Sequence, residues 1–209
     1  KNLNVFYNGV RSAANGLDAE MSPKVNWIMN KIETTNENYV VSSNFIKSGI
    51  NLLETRLKRA NIPYSKVVGS MKMFERGEAV KSINNGTVRV LLISSAGSQG
   101  IDLVGVKNII LLDRGWHETG NKQVIGRAVR YKSHMHLPKS ERVVNVWNMF
   151  LVRDEYEKEY FYDILGNGDY GLDPDSINIS IDLFLQAYTA NKETFLDKFN
   201  NYLESVSTI

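Results

Sequence analysis

VRVLLISSAGSQGIDLVGVKNIILLD, residues 88–113, sets two short apolar runs, Val90 to Ile93 and Ile109 to Leu112, on either side of a segment rich in glycine and serine. Apolar runs of this length without polar alternation suit strands covered on both faces, as in a parallel sheet packed between helices. Where the first run ends, the small residues and hydroxyls of SSAGSQG suit contacts between backbone N–H groups and phosphates. Open α/β sheets hold their ligands outside the carboxyl ends of the strands. Asp102, just beyond, can accept hydrogen bonds from ribose hydroxyls. A tight turn using Gly97 and Gly100 at positive φ, with Asp102 capping a short helix, accounts for the same residues without a ligand.

Outward from this stretch, helical and extended patterns alternate. Upstream, Ser22-Pro23 and the apolar spacing of Val25, Ile28, Met29 and Ile32 predict a capped helix ending near Thr35. YVVSSN reads as a strand, and INLLETRLKRANIP as a helix stopped by Asn61 and Pro63. SKVVG reads as a strand and FERGEAVKSINNG as a helix. Downstream, NKQVIGRAVRYK reads as a helix and RVVNVWNMF as a strand. The alternation argues an α/β fold with a mainly parallel sheet. DEYEKEYFYDIL reads as an acidic, tyrosine-rich helix, GNGDYGLDPDS as a loop, and SIDLFLQAYTANKETFLDKFNNYLESV as one or two amphipathic helices.

The chain has 209 residues, 43% of them hydrophobic, enough for one well-buried domain with an appended tail. It contains no cysteine, which excludes disulfides and thiolate metal sites. The net charge of +2 hides an asymmetry. Residues 40–142 hold 17 basic and 7 acidic residues, whereas residues 143–209 hold 4 and 12. The middle suits a polyanion and the tail a solvated or partner-facing surface, although basic residues also decorate ordinary solvent faces. No apolar stretch matches a membrane span or a signal peptide, so no membrane partner is expected. A start at lysine that runs straight into ordinary sequence suggests a piece of a larger protein.

QVIGRAVR, residues 123–130, is the second informative stretch. On a continuous helix Gln123, Arg127 and Arg130 share one face and Val124, Ile125, Ala128 and Val129 the other. Gly126 removes a side chain where a ligand or another backbone could approach. Paired guanidiniums carry fixed forks of donors suited to phosphate; an ordinary basic helix face has the same residue types.

Taken together, these motifs resemble the second RecA-like domain of superfamily 2 helicases and nucleic-acid translocases. LLISSAGSQGID resembles motif V, QVIGRAVR resembles motif VI in its Q-x-x-G-R-x-x-R form, YVVSSNF resembles motif IV, and KVVGSM resembles the strand and glycine that follow it. AGSQGID and the spacing from Trp116 to Gln123 are similar to Swi/Snf-type remodelling ATPases. RYKSHMHLPKSERVV is similar to helicase-like nucleoside triphosphatases and early transcription factors of large cytoplasmic DNA viruses, poxviruses and their relatives. The resemblance covers roughly residues 22–150, in the correct order.

The resemblance implies a RecA-like three-layer α/β/α domain over residues 22–152, preceded by a linker, residues 1–21, from a missing first domain. An acidic, mainly helical extension, residues 153–209, would follow. It implies that Arg127 and Arg130 reach the γ-phosphate of ATP held with Mg²⁺ mainly by that first domain, where such fingers are worth about 10³ to 10⁵ in rate. Gln123 would couple nucleotide to strand, Asp102 would meet the ribose, and Gly100 and Gly126 would border the nucleotide. Ser94, in the place of the usual motif V threonine, with Ser95, Gly97, Gly69, Ser70, Ser42 and Ser43, would contact the DNA or RNA backbone. The implied partners are the first RecA-like domain and other viral transcription or replication proteins, in host cytoplasm or virion. A non-catalytic binding module of a viral transcription or packaging complex, or a duplex-DNA translocase without unwinding, are the alternative readings.

No G-x-x-x-x-G-K-[ST] occurs, so the phosphate cradle is absent and the chain alone is expected to hydrolyse no ATP. FLVRDEYE mimics a Walker B pair but follows motif VI and has no phosphate loop before it. His134 and His136 could be drawn with Glu141 as a metal site, but alternate histidines in a loop before Pro138 lack a well-spaced third ligand; a solvated loop and no metal site are expected. Trp116 suits either stacking or burial at a strand end. Tyr156, Tyr160, Phe161 and Tyr170 sit among acids and suit packing better than base stacking.

Overall fold

A computed structural model describes residues 3–117, 119–152 and 180–207. Its centre is a parallel sheet of β1 (Tyr39–Ser43), β2 (Tyr64–Val67), β3 (Val90–Ser94), β4 (Asn108–Leu111) and β5 (Asn145–Asn148), in the order β2-β3-β1-β4-β5. Val41 stands opposite Leu92 on one side and Ile110 on the other, and every residue of β1, β3 and β4 is buried. Both apolar runs of residues 88–113 are thus central strands, as their lack of alternation predicts.

Helices cover both faces. Val40, Leu91, Ile93 and Ile109 pack under α4 (Met73–Asn84) and α5 (Thr119–Ala128) through Ala79, Val80, Ile83, Val124 and Ala128. Tyr39, Val41, Leu92 and Ile110 pack under α2 (Pro23–Thr34) and α3 (Asn51–Arg59) through Val25, Ile28, Met29, Ile32, Leu53 and Leu57. Burying each of these large side chains contributes about 1.5–3 kcal/mol. The Ser22 hydroxyl accepts a hydrogen bond from the Val25 N–H at 3.1 Å with Pro23 in the first turn, the predicted cap. A π-helical turn, Ile46–Ile50, leads into α3 and has no signature in the periodicity.

Residues outside this sandwich form a second layer of contacts. α1 (Leu3–Ala14) lies where only a connecting segment is expected from sequence, and it packs on α6 (Ile181–Ser207). Tyr7 stacks on Phe184 with centroids 5.8 Å apart, and Trp116 meets Tyr7 edge-on at 5.5 Å and Tyr188 at 5.8 Å. Trp116 is therefore part of this packing. α6 is tied to the start of α2 by an ion pair between Lys24 and Asp182, 2.6 Å apart and each 2% exposed. The Leu151 N–H donates to the same carboxylate at 2.7 Å. The expected acidic helix, its following loop and the four aromatic residues at 156, 160, 161 and 170 lie outside the described residues.

Candidate functional site

The carboxyl ends of the strands gather most of the residues singled out from sequence. β3 runs into a compact turn in which the Ser94 hydroxyl, almost fully buried, accepts the Gly97 N–H at 3.1 Å, and the Ser94 carbonyl accepts the Gly97 and Ser98 N–H groups at 2.8 and 3.1 Å. Ser95 and Ala96 are left exposed at its tip. A Cβ on Gly97 would lie 2.3 Å from the Val67 carbonyl oxygen, and one on Gly69 would lie 2.8 Å from the Ala96 Cβ. The turns after β2 and β3 therefore press together, and Gly69, Ser70 and Ser95 form one exposed rim. Gly100 takes the expected positive φ, 73°, whereas the requirement for glycine at 97 is close approach rather than a positive φ.

Ser42 and Ser43 are placed differently from Ser95. Both are buried, and the Ser43 hydroxyl donates inward to Asp113 at 2.5 Å. Asp113 also accepts from the Asn15 amide at 3.0 Å and from the Asn44 backbone N–H at 3.0 Å. Beside it Arg11, almost fully buried, donates to the Arg114 carbonyl through Nε at 3.0 Å and Nη2 at 2.5 Å. Burial pushes the Arg11 pKa down, opposed by the charges of Asp113 and Asp182. This cluster holds α1 against the ends of β1 and β4. The one local signal for it is the acid that closes the apolar run IILLD, since the polar residues of α1 resemble any solvent face.

On the other side of the rim, α5 carries Gln123 exposed and Arg127 half-buried, one turn apart. The helix stops at Ala128, so Arg130 lies beyond it and does not extend the face that a continuous helix would give. The stop has identifiable causes. The Ser133 hydroxyl reaches the carbonyl oxygens of Ala128 and Arg130 at 2.8 Å each, and Lys132 takes φ 70°. The Leu103 N–H donates to the Arg127 carbonyl at 3.4 Å, attaching the strand-exit loop to the helix end. Arg130 then turns back onto the Asp102 carboxylate in an ion pair. Gly126 has nothing within 4 Å of where a Cβ would sit.

The histidine segment corrects an expectation. His134 is buried, its Nδ1 2.8 Å from the Ser133 hydroxyl and its Nε2 2.8 Å from the Val106 carbonyl, because it fills the joint between α5 and β4. Among the described residues no three His, Asp or Glu side chains are grouped as metal ligands. Among the same residues no helix is long and apolar enough to cross a membrane.

Residues 23–132 match the family of the helicase conserved C-terminal domain. Over 208 residues the chain is 33% identical to a putative ATP-dependent RNA helicase of Acanthamoeba polyphaga mimivirus, covering 99% of this chain and 42% of that protein. It is 48% identical over 64 residues to nucleoside triphosphatase I of Amsacta moorei entomopoxvirus, 30% of this chain and 10% of that protein. The chain therefore matches less than half the length of the first relative and about a tenth of the second. The crystal structure of the C-terminal part of the Fun30 ATPase domain superposes with a TM-score of 0.57 at 19% identity, covering 84% of this chain and 57% of that one, a likeness of fold.

Proposed function

The chain belongs to the family of the helicase conserved C-terminal domain, and from that membership we propose that it is the second half of an ATP-driven helicase or translocase. In this reading Arg127 and Arg130 complete an ATP site held on the N-terminal helicase domain, and the exposed rim of Gly69, Ser70 and Ser95, which the buried Gly97 allows to close up, contacts a nucleic-acid backbone. The observation that supports it is the joint between the strand-exit loop and the end of α5, where the Leu103 N–H donates to the Arg127 carbonyl and Asp102 pairs with Arg130, with Gln123 one turn earlier on the same helix.

The chemistry assigned to these groups is electrostatic. ATP hydrolysis spreads charge over the transferred phosphoryl oxygens, and guanidiniums aimed there stabilise the transition state. Arg127 and Arg130 supply that charge, Gln123 lies one turn before Arg127 to report on the nucleotide, and Asp102 takes the ribose. Mg²⁺, when bound with ATP, would offset phosphate charge and would be held mainly by the N-terminal domain. Opening and closing of the two domains around ATP would then move the rim along the strand. Residues 1–21 would serve as the connection from the first domain, residues 22–152 as the RecA-like body and residues 153–209 as the extension.

The test is complementation in trans. The 209-residue chain alone is expected to leave ATP intact, and its addition to the separately produced N-terminal domain is expected to raise that domain's turnover. Turnover by the chain alone, or none gained on mixing, would overturn the reading.

A further inference from the structure

Resting on the backbone-contact reading above, we propose that Met73 and Phe74 in the first turn of α4 form a base-contacting element, on which bases of a bound single strand lie while the rim holds its phosphates. The two side chains are 90% and 78% exposed and belong to none of the apolar clusters of the fold. They are adjacent in a helix whose buried contacts come from Ala79, Val80 and Ile83, a turn or more further on. Their exposure is therefore not required by the packing of α4.

Their position follows from the rim. Gly69 and Ser70 lead directly into α4, and Arg76 fastens that turn by donating to the Gly69 carbonyl at 2.5 Å and the Met71 carbonyl at 3.1 Å. Met73 borders an open cleft of about 620 Å³ that Met71, Val80, Gln99 and Ile101 also line. A strand whose phosphates lie on Ser70 and Ser95 thus has its bases beside an apolar surface. The charges agree: Lys72 is exposed beside the pair, whereas the Glu75 carboxylate is turned back onto the Lys72 N–H at 3.0 Å. A nucleobase offers a flat apolar face to thioether or ring regardless of sequence, which suits an element that must pass every base in turn.

The experiment compares binding of this chain, at low salt, to a fluorescein-labelled oligo-dT strand and to an abasic strand of the same length and charge. The wild-type chain is expected to bind the base-bearing strand about tenfold more tightly, the scale of one good stack. Met73→Ala/Phe74→Ala should erase that preference and leave abasic affinity unchanged, and Phe74→Tyr should keep it. Both side chains are exposed, so thermal unfolding should match wild type and folding loss does not confuse the result. A preference that survives the double substitution, or a wild-type chain that binds both strands alike, overturns this proposal alone. Absence of salt-dependent binding to either strand overturns the backbone reading and this proposal with it.

Discussion

Asp102 and Arg130 are each other's partners: the carboxylate at the far end of the strand-exit loop is paired with the guanidinium just past α5. The side chains remain 71% and 46% exposed, so water screens the pair and its contribution to folding is about 0–1 kcal/mol. In the proposed reading the pair opens to a nucleotide that offers ribose hydroxyls to Asp102 and phosphate to Arg130, and a screened pair costs little to open. Asp102→Asn is accordingly expected to leave chemical unfolding unchanged within about 0.5 kcal/mol. A loss several times larger would make the pair a structural strut.

The buried counterpart behaves oppositely. Lys24 is held by Asp182 at 2.6 Å and donates to the Leu112 carbonyl at 3.1 Å and the Asn15 side chain at 3.3 Å. Asp182→Leu leaves a charged amine without its carboxylate in the interior and should cost about 3–5 kcal/mol. Lys24→Met/Asp182→Leu should recover much of that loss. Urea unfolding of both variants decides it, and equal losses in the two would mean that packing of α6, not charge, is what the substitution removes.

Glu54 gives the fold a defined acid sensitivity. Burial pushes its pKa up, but hydrogen bonds from Lys66, Tyr64 and Lys58 outweigh this and hold it at about 2, below the ordinary 4.5. A depressed carboxylate stabilises the fold above the unfolded value, and that contribution is lost as pH falls toward the folded value. Glu54→Gln should therefore be less stable than wild type at neutral pH, with the gap closing between pH 4.5 and about 2. A gap constant across that interval would contradict the assignment.

Two glycines separate a structural from a functional requirement. Gly97→Ala places a methyl group 2.3 Å from a backbone oxygen and should destabilise by about 1–3 kcal/mol. Gly126→Ala, inside α5 with open space around it, should stabilise by about 0.5–1 kcal/mol. If the nucleotide or the opposing domain approaches α5 at this point, the same Gly126→Ala protein, joined to its N-terminal domain, should lose ATP turnover despite its firmer fold. Full turnover would mean that nothing needs the space.

The sandwich was legible because its signals are local. VLLI and IILL mark covered strands, and the spacing of Val25, Ile28, Met29 and Ile32 marks the buried face of α2. The pairing of α1 with α6 was not legible, because Arg11, Asn15 and Lys24 are polar residues whose burial depends on Asp113, Arg114 and Asp182, far along the chain. In the candidate site, Gln123 and Arg127 could be placed from helical spacing, but Arg130 could not. The end of α5 is set by the Ser133 hydroxyl and by a loop that periodicity does not describe.

Arg127 and Arg130 are proposed to complete a site for ATP on another domain. The most direct test is the steady-state ATP turnover of the protein that joins this chain to its N-terminal helicase domain, with Arg127→Ala and Arg130→Ala measured separately. Each substitution is expected to lower turnover by about 10³ or more while single-strand binding persists, since these guanidiniums act on the transition state rather than on the strand. Wild-type turnover in both variants would mean that neither guanidinium serves the ATP site.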